Sequence, residues 1–211
     1  TTNDPSHVMF NGSSYLEIPN NNCDLSVFST KDFTIEFSIY IPSGTLGNGE
    51  SLTIIDGYSK DADNNNRGWY VEMTENNLEI NIAMNETITP VEGNEGTVEI
   101  SNKVINRSYL FDKYDKWVVV RIDIGQDKRP SYITCTYSTE EESNVIAESI
   151  SDYSVVPAIE TCKTATNEFS TGPPTTLRIG NRNAEHIGDK DYVIRSGVKL
   201  NYLRYITKRE N

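Results

Sequence analysis

Phe33 to Ile41 reads FTIEFSIYI, with an apolar side chain at every second position. Phe33, Ile35, Phe37, Ile39 and Ile41 fall on one face, and Thr34, Glu36, Ser38 and Tyr40 on the other. A period of two is what a half-buried antiparallel strand requires, whereas a helix would scatter these side chains around its axis. Pro42-Ser43-Gly44 ends the run. The pattern returns through Leu78, Ile80, Ile82 and Met84, and again through Val118, Val120, Ile122 and Ile124 after Trp117. Turn residues punctuate the chain at GTLGNG, KDADNNNRG, VEGNEG, GQDKRP and TEEES. Short strands with repeated turns and no convincing helix predict an all-β sandwich or barrel rather than βαβ units. Asn85 to Lys116 and Asp152 to Thr176 are less regular and read as elaborations carrying short strands, because structureless loops of that length are uncommon.

With 211 residues the chain can bury a sizeable core, and residues 1–211 are read as one domain without a linker or fixed-period repeat. A net charge of -12 argues against a phosphate-binding surface and so against nucleic acid. It reads more simply as the solubility device of an exposed protein. No apolar run approaches the ~20 residues needed to cross a membrane, so no membrane insertion is expected. The opening TTNDPSH has no basic residue followed by an apolar stretch and does not read as a signal peptide. A cleaved signal, or a piece of a larger protein, is compatible with it. Cys23, Cys135 and Cys162 show no CxxC spacing, which disfavours zinc. Buried thiols are the simpler reading than a Cys135–Cys162 disulfide, which would need neighbouring strands.

The order of motifs resembles the laminin-G-like or concanavalin A-like jelly roll. Its opening strand is similar to FNGSSYLEIP at Phe10 to Pro19, its second to FTIEFSIYI, and a later one to Trp117-Val118-Val119-Val120. A strand leading to a glycine is matched by LRIGN at Leu177 to Asn181, and the closing strand by Leu200-Asn201-Tyr202-Leu203-Arg204-Tyr205-Ile206. The resemblance implies an antiparallel two-sheet jelly-roll sandwich in which the strand at Tyr15 to Ile18 pairs with that at Leu200 to Ile206. It also implies a binding, adhesion or virion-surface role more readily than catalysis, although one fold hosts many functions.

Glucanases on a similar sandwich carry an E-x-D-x-x-E strand whose carboxylates act as nucleophile and acid, and no such string occurs here. Glu140-Glu141-Glu142 reads as a solvated turn. His7 and His186 lie in neither a G-x-S-x-G nor an HExxH setting. The expectation is therefore no enzyme and no catalytic residue.

The run from Asp61 to Glu72 is the sharpest metal candidate. Asp61, Asp63, Asn65 and Glu72 stand at relative positions one, three, five and twelve, which resembles a calcium loop. Asn66 stands where such loops place a glycine, and the flanks LTIID and GWYVEM read as strands rather than helices. With Trp69, Val71 and Met73 on one face, Tyr70 and Glu72 take the other, so Glu72 would point off the sheet instead of over the loop. A plain polar hairpin loop is the competing reading. A second polar loop, Asn181 to Asp189, also offers carboxylates and amides, but turn geometry after a strand is the simpler reading.

Sugar recognition needs aromatic faces beside amides, carboxylates and arginine. Tyr58, Trp69 and Tyr70 flank the Asp61 loop, and Tyr109, Phe111 and Tyr114 form another cluster. Large aromatics more often fill cores, which leaves Tyr58 and Tyr70, with Asn65, as the exposed ligand candidates. Sequons at Asn11, Asn85 and Asn106 establish nothing alone, because such triplets arise by chance in an Asn- and Thr-rich chain. The expected function is a non-catalytic carbohydrate-binding or adhesion module of a larger surface or secreted protein. Its partner would be a glycan or cell-surface polysaccharide, with calcium as the candidate cofactor. A homo-oligomer within a larger assembly is compatible. The alternatives are a virion structural domain, such as a phage fibre or capsid decoration, and then a glycoside hydrolase. The expected location is extracellular, at a cell surface or on a virion.

Overall fold

The computed structural model describes residues 7–19, 33–60, 63–90, 99–125, 132–139, 142–150, 162–169, 176–182 and 197–207. In chain order the strands are β1 (Val8–Met9), β2 (Leu16–Pro19), β3 (Phe33–Tyr40), β4 (Ser51–Asp56), β5 (Ser59–Lys60), β6 (Asn66–Arg67), β7 (Trp69–Thr74) and β8 (Asn77–Pro90). They continue as β9 (Glu99–Leu110), β10 (Trp117–Gly125), β11 (Tyr132–Thr139), β12 (Glu142–Ile150), β13 (Cys162–Phe169), β14 (Thr176–Ile179) and β15 (Lys199–Thr207).

They form an all-β, antiparallel, two-sheet sandwich. A six-stranded sheet runs β1-β15-β3-β10-β11-β12; a seven-stranded sheet runs β13-β8-β7-β4-β14-β2, with β9 also on β8; β5 and β6 pair as a small hairpin. The chain switches sheets repeatedly, from β1 to β2, β2 to β3, β3 to β4, β9 to β10, β12 to β13 and β14 to β15. Such crossovers are how a jelly roll places sequence neighbours in opposite layers.

Alternation dictated the core. Ile35, Phe37, Ile39 and Ile41 from β3 and the residue after it are buried, with Val118, Val120 and Ile122 from β10. They meet Leu52, Ile55, Trp69, Val71, Met73, Leu78, Ile80 and Ile82 from the other sheet in one apolar cluster. The side chains of Phe33, Met84 and Ile124 lie outside the described ones. Cys135 is buried on β11 of one sheet while Cys162 opens β13 of the other, so their strands are not ladder neighbours.

Two expectations are corrected. The strand at Tyr15 to Ile18 does not pair with the closing strand: Leu16, Glu17 and Ile18 face Ile179, Arg178 and Leu177 of β14. It is β1 that meets β15, through Val8↔Leu200 and Met9↔Lys199. The cause lies between them. Phe10 is anchored by backbone bonds with Val198 (2.9 Å) and Gly197 (3.0 Å). The Asn11 side-chain oxygen then accepts from the backbone N–H groups of Ser13 and Ser14, both at 3.0 Å, and Gly12 takes φ 87°. This turn redirects the chain, so β2 leaves for the other sheet.

Residues 85–116 carry long strands rather than short ones, since β8 and β9 pair from Asn77↔Leu110 to Ile88↔Glu99. Apolar alternation ends at Met84, but the β-branched Thr87, Ile88 and Thr89 favour extended backbone without it.

Candidate functional site

The outer face of the seven-stranded sheet carries a polar row that crosses six strands. Glu17 on β2 faces Arg178 on β14, and Arg178 faces Asp56 on β4. Asp56 faces Tyr70 on β7, Tyr70 faces Asn81 on β8, and Asn81 faces Asn106 on β9. A neighbouring row runs Thr53, Glu72, Glu79 and Ser108. Directly paired residues share a face, so these groups converge because the opposite positions are taken by the core.

Hydrogen bonds join the rows. Arg182, just past β14, donates from Nε (2.7 Å) and Nη2 (2.6 Å) to Glu72 Oε1, which also accepts from the Thr53 hydroxyl at 3.2 Å. The Arg182 guanidinium lies 5.6 Å from the Tyr70 ring centre, within cation–π range. Asn106 Nδ2 donates to Asn81 Oδ1 at 2.8 Å and to Glu79 Oε2 at 3.1 Å. That bond orients the Asn81 amide with its nitrogen away from Asn106, since exchanging its ends would oppose two donors. Asn81 is 4% exposed, and its Nδ2 has no hydrogen-bond partner. At the far end Arg178 donates to Glu17 at 2.9 Å and lies 4.7 Å from the Tyr15 ring centre. Burial pushes the Tyr70 phenol above its ordinary value; Glu72 and Asp56 push it the same way while Arg182 opposes them. The group is a neutral hydroxyl at physiological pH.

The Asp61 loop is the tip of the β5–β6 hairpin, with Ser59↔Arg67 and Lys60↔Asn66 as its pairs. Asn64 takes the left-handed backbone at φ 65° and accepts from Lys60 Nζ at 3.0 Å. Asn66, at the glycine position of a calcium loop, therefore sits in a strand instead of making the turn. Asp61 lies outside the described residues, Asp63 is exposed and Asn65 is half-buried. Glu72 is remote from the tip in function, because its carboxylate is engaged by Arg182 and Thr53. Among the described residues no three His, Cys, Asp or Glu side chains are grouped to hold a metal.

Tyr58 corrects the expectation of exposure. It is 5% exposed, its hydroxyl donates to Asn66 Oδ1, and its ring meets Tyr70 edge-on at 5.9 Å. The hairpin curls back over the sheet, which places Tyr58 as support for Tyr70. Gly68 permits this, since a Cβ there would lie 2.2 Å from the Gly57 carbonyl oxygen. Tyr109 and Phe111 are core, and Phe111 meets Tyr114 and Tyr137 edge-on at 5.6 and 5.5 Å. Trp117 is half-buried between His7 and Tyr40 on the other sheet. Glu140, Glu141, His186 and residues 183–189 of the second loop lie outside the described residues.

The sequence alone does not single out Asn81 or Asp56, and it places Arg182 only within the polar loop Asn181 to Asp189. Asn81 had a signal, as an amide between the apolar Ile80 and Ile82 on the outward phase of β8. In the sequence Asn106 stands out only as the head of an N-x-S triplet.

No family model and no curated protein matches the chain. Solved structures similar to it include the botulinum neurotoxin serotype D binding domain, at 13% identity and TM-score 0.48 over 96% of this chain and 39% of that one. The receptor binding domain of mosaic serotype C/D is 11% identical, with TM-score 0.44 over 99% of this chain and 42% of that one. The serotype G binding domain is 14% identical, with TM-score 0.43 over 100% of this chain and 45% of that one. The chain thus spans less than half the length of each. Likeness at this level bears on no function.

Proposed function

We propose that the chain is a non-catalytic glycan-recognition module of a secreted or cell-surface protein, and that it binds through the outer face of the seven-stranded sheet. The Asn81 side-chain N–H carries the reading: it is buried yet lacks a hydrogen-bond partner. An unmet buried donor is costly, and groups of this kind are kept where a ligand or ordered water meets them. Beside it stand a half-buried aromatic ring at Tyr70, amide and carboxylate groups at Asn106 and Glu79, and a guanidinium at Arg182. Those are the group types that stack on and hydrogen-bond a sugar ring.

Glycan-array binding tests it. The wild-type chain should retain a glycan class that Asn81→Leu loses while keeping cooperative unfolding. A wild-type chain that retains no glycan, or a folded Asn81→Leu variant that binds as before, contradicts the proposal.

A further inference from the structure

We infer that the sugar recognised at Asn81 is uncharged, offering a hydroxyl or N-acetyl oxygen rather than a carboxylate or sulfate. The inference rests on the glycan reading above and adds the ligand's charge class.

Two observations meet here. The unpartnered group is a donor, Asn81 Nδ2, so the ligand must present an acceptor oxygen. The surroundings decide whether that oxygen can be anionic. Asp56 and Glu79 lie on the same face as the donor, and Glu72 is the cross-strand partner of Glu79. Asp56 is 0% exposed, so water screens it weakly. Among the described residues the cation beside Tyr70, Arg182, is already engaged: two of its three guanidinium nitrogens bind one oxygen of Glu72, at 2.6 and 2.7 Å. Arg178 is likewise held by Glu17 at 2.9 Å. An acidic sugar would have to draw Arg182 away and leave Glu72 buried without its partner, which is strongly unfavourable. At -12 the whole chain repels anions at long range as well. A neutral acceptor meets the Asn81 donor without disturbing any of these pairs.

The test compares neutral glycans with the same cores bearing terminal sialic acid, uronate or sulfate, using the full chain at low and high salt. Neutral cores should bind at least about tenfold more tightly than their acidic counterparts at low salt. Added salt should narrow the part of that gap set by exposed charge and the -12 chain, while buried Asp56 and Glu72 keep the remainder. Glu79→Gln, which keeps the shape and removes a charge, should narrow it at low salt. Tighter binding of an acidic form than of its neutral core overturns the charge inference and leaves the glycan reading standing. An equal gap at all salt concentrations, unchanged in Glu79→Gln, also overturns it. Retention of no glycan overturns both.

Discussion

Arg182 binds Glu72 through two nitrogens on one carboxylate oxygen, at 2.6 and 2.7 Å, across 110 residues of sequence. Their side chains are 13% and 8% exposed, so the pair lies in a largely dry setting. It fixes the chain leaving β14 against β7. Removing one member strands the other charge, and such losses run to about 3–5 kcal/mol, whereas replacing both with apolar groups is often near neutral. Arg182→Ala should therefore cost about 3 kcal/mol in denaturant unfolding. The double variant Glu72→Met with Arg182→Met should recover most of that loss. Equal losses in the single and double variants would show that the pair does not act as a unit.

Gly68 and Gly44 both have positive φ, at 79° and 71°, but only Gly68 lacks room for a side chain. Gly44→Ala should cost only the backbone penalty of roughly 1–2 kcal/mol. Gly68→Ala adds a collision with the Gly57 carbonyl oxygen and should cost upwards of about 3 kcal/mol. It should also weaken glycan binding, because the hairpin carrying Tyr58 would shift away from Tyr70. Equal stability losses at the two positions would contradict the close approach.

Phe37 is 0% exposed at the centre of β3, between β10 and β15. Phe37→Ala should cost about 3–5 kcal/mol. A loss below about 1 kcal/mol is typical of surface sites and would invert the assignment of faces.

Asp115 accepts from the Ser43 backbone N–H at 2.9 Å, and that bond holds its carboxyl below the ordinary 3.8. A lowered folded-state value means the ionised group contributes stability above the unfolded value and loses that contribution as pH falls through the folded one. Wild type should exceed Asp115→Ala in stability at neutral pH, and the difference should shrink below pH 3.8. A difference constant through that range would contradict the role of the carboxylate.

The sheet faces were legible in the sequence because alternation reports burial directly: Ile35, Phe37 and Ile39, and then Val118, Val120 and Ile122, all turned inward. Strand partners were not. Tyr15 to Ile18 has the same pattern whichever strand receives it; the turn at Asn11 redirects it, and its pairing with β14 is a tertiary fact. The site was half visible for the same reason. Tyr70 and Glu72 were placed on the outer face, but Arg182 and Asn106 reach it through registers that only the folded sheet defines. Local spacing instead drew Asp61, Asp63, Asn65 and Glu72 into one metal set.

Calcium at the hairpin tip is separable from that set. If Asp61, Asp63 and Asn65 hold the ion, calcium should raise the melting temperature, by an amount worth about 2.7 kcal/mol at a hundredfold excess over Kd. Asp61→Ala with Asp63→Ala should abolish the rise. Glu72→Gln should leave it intact, because that carboxylate serves Arg182. A melting temperature indifferent to calcium in the wild-type chain excludes the metal and leaves the Asn81 site untouched.

If the unpartnered Asn81 amide meets the ligand, the amide itself will report it by NMR. With an uncharged glycan retained on the array, the side-chain N–H signals of Asn81 and Asn106 should shift together. They should saturate at the Kd of the whole chain, and the Asn81 N–H should become protected from exchange with water. A saturating glycan that leaves the Asn81 amide signals unmoved would show that this amide does not meet the ligand.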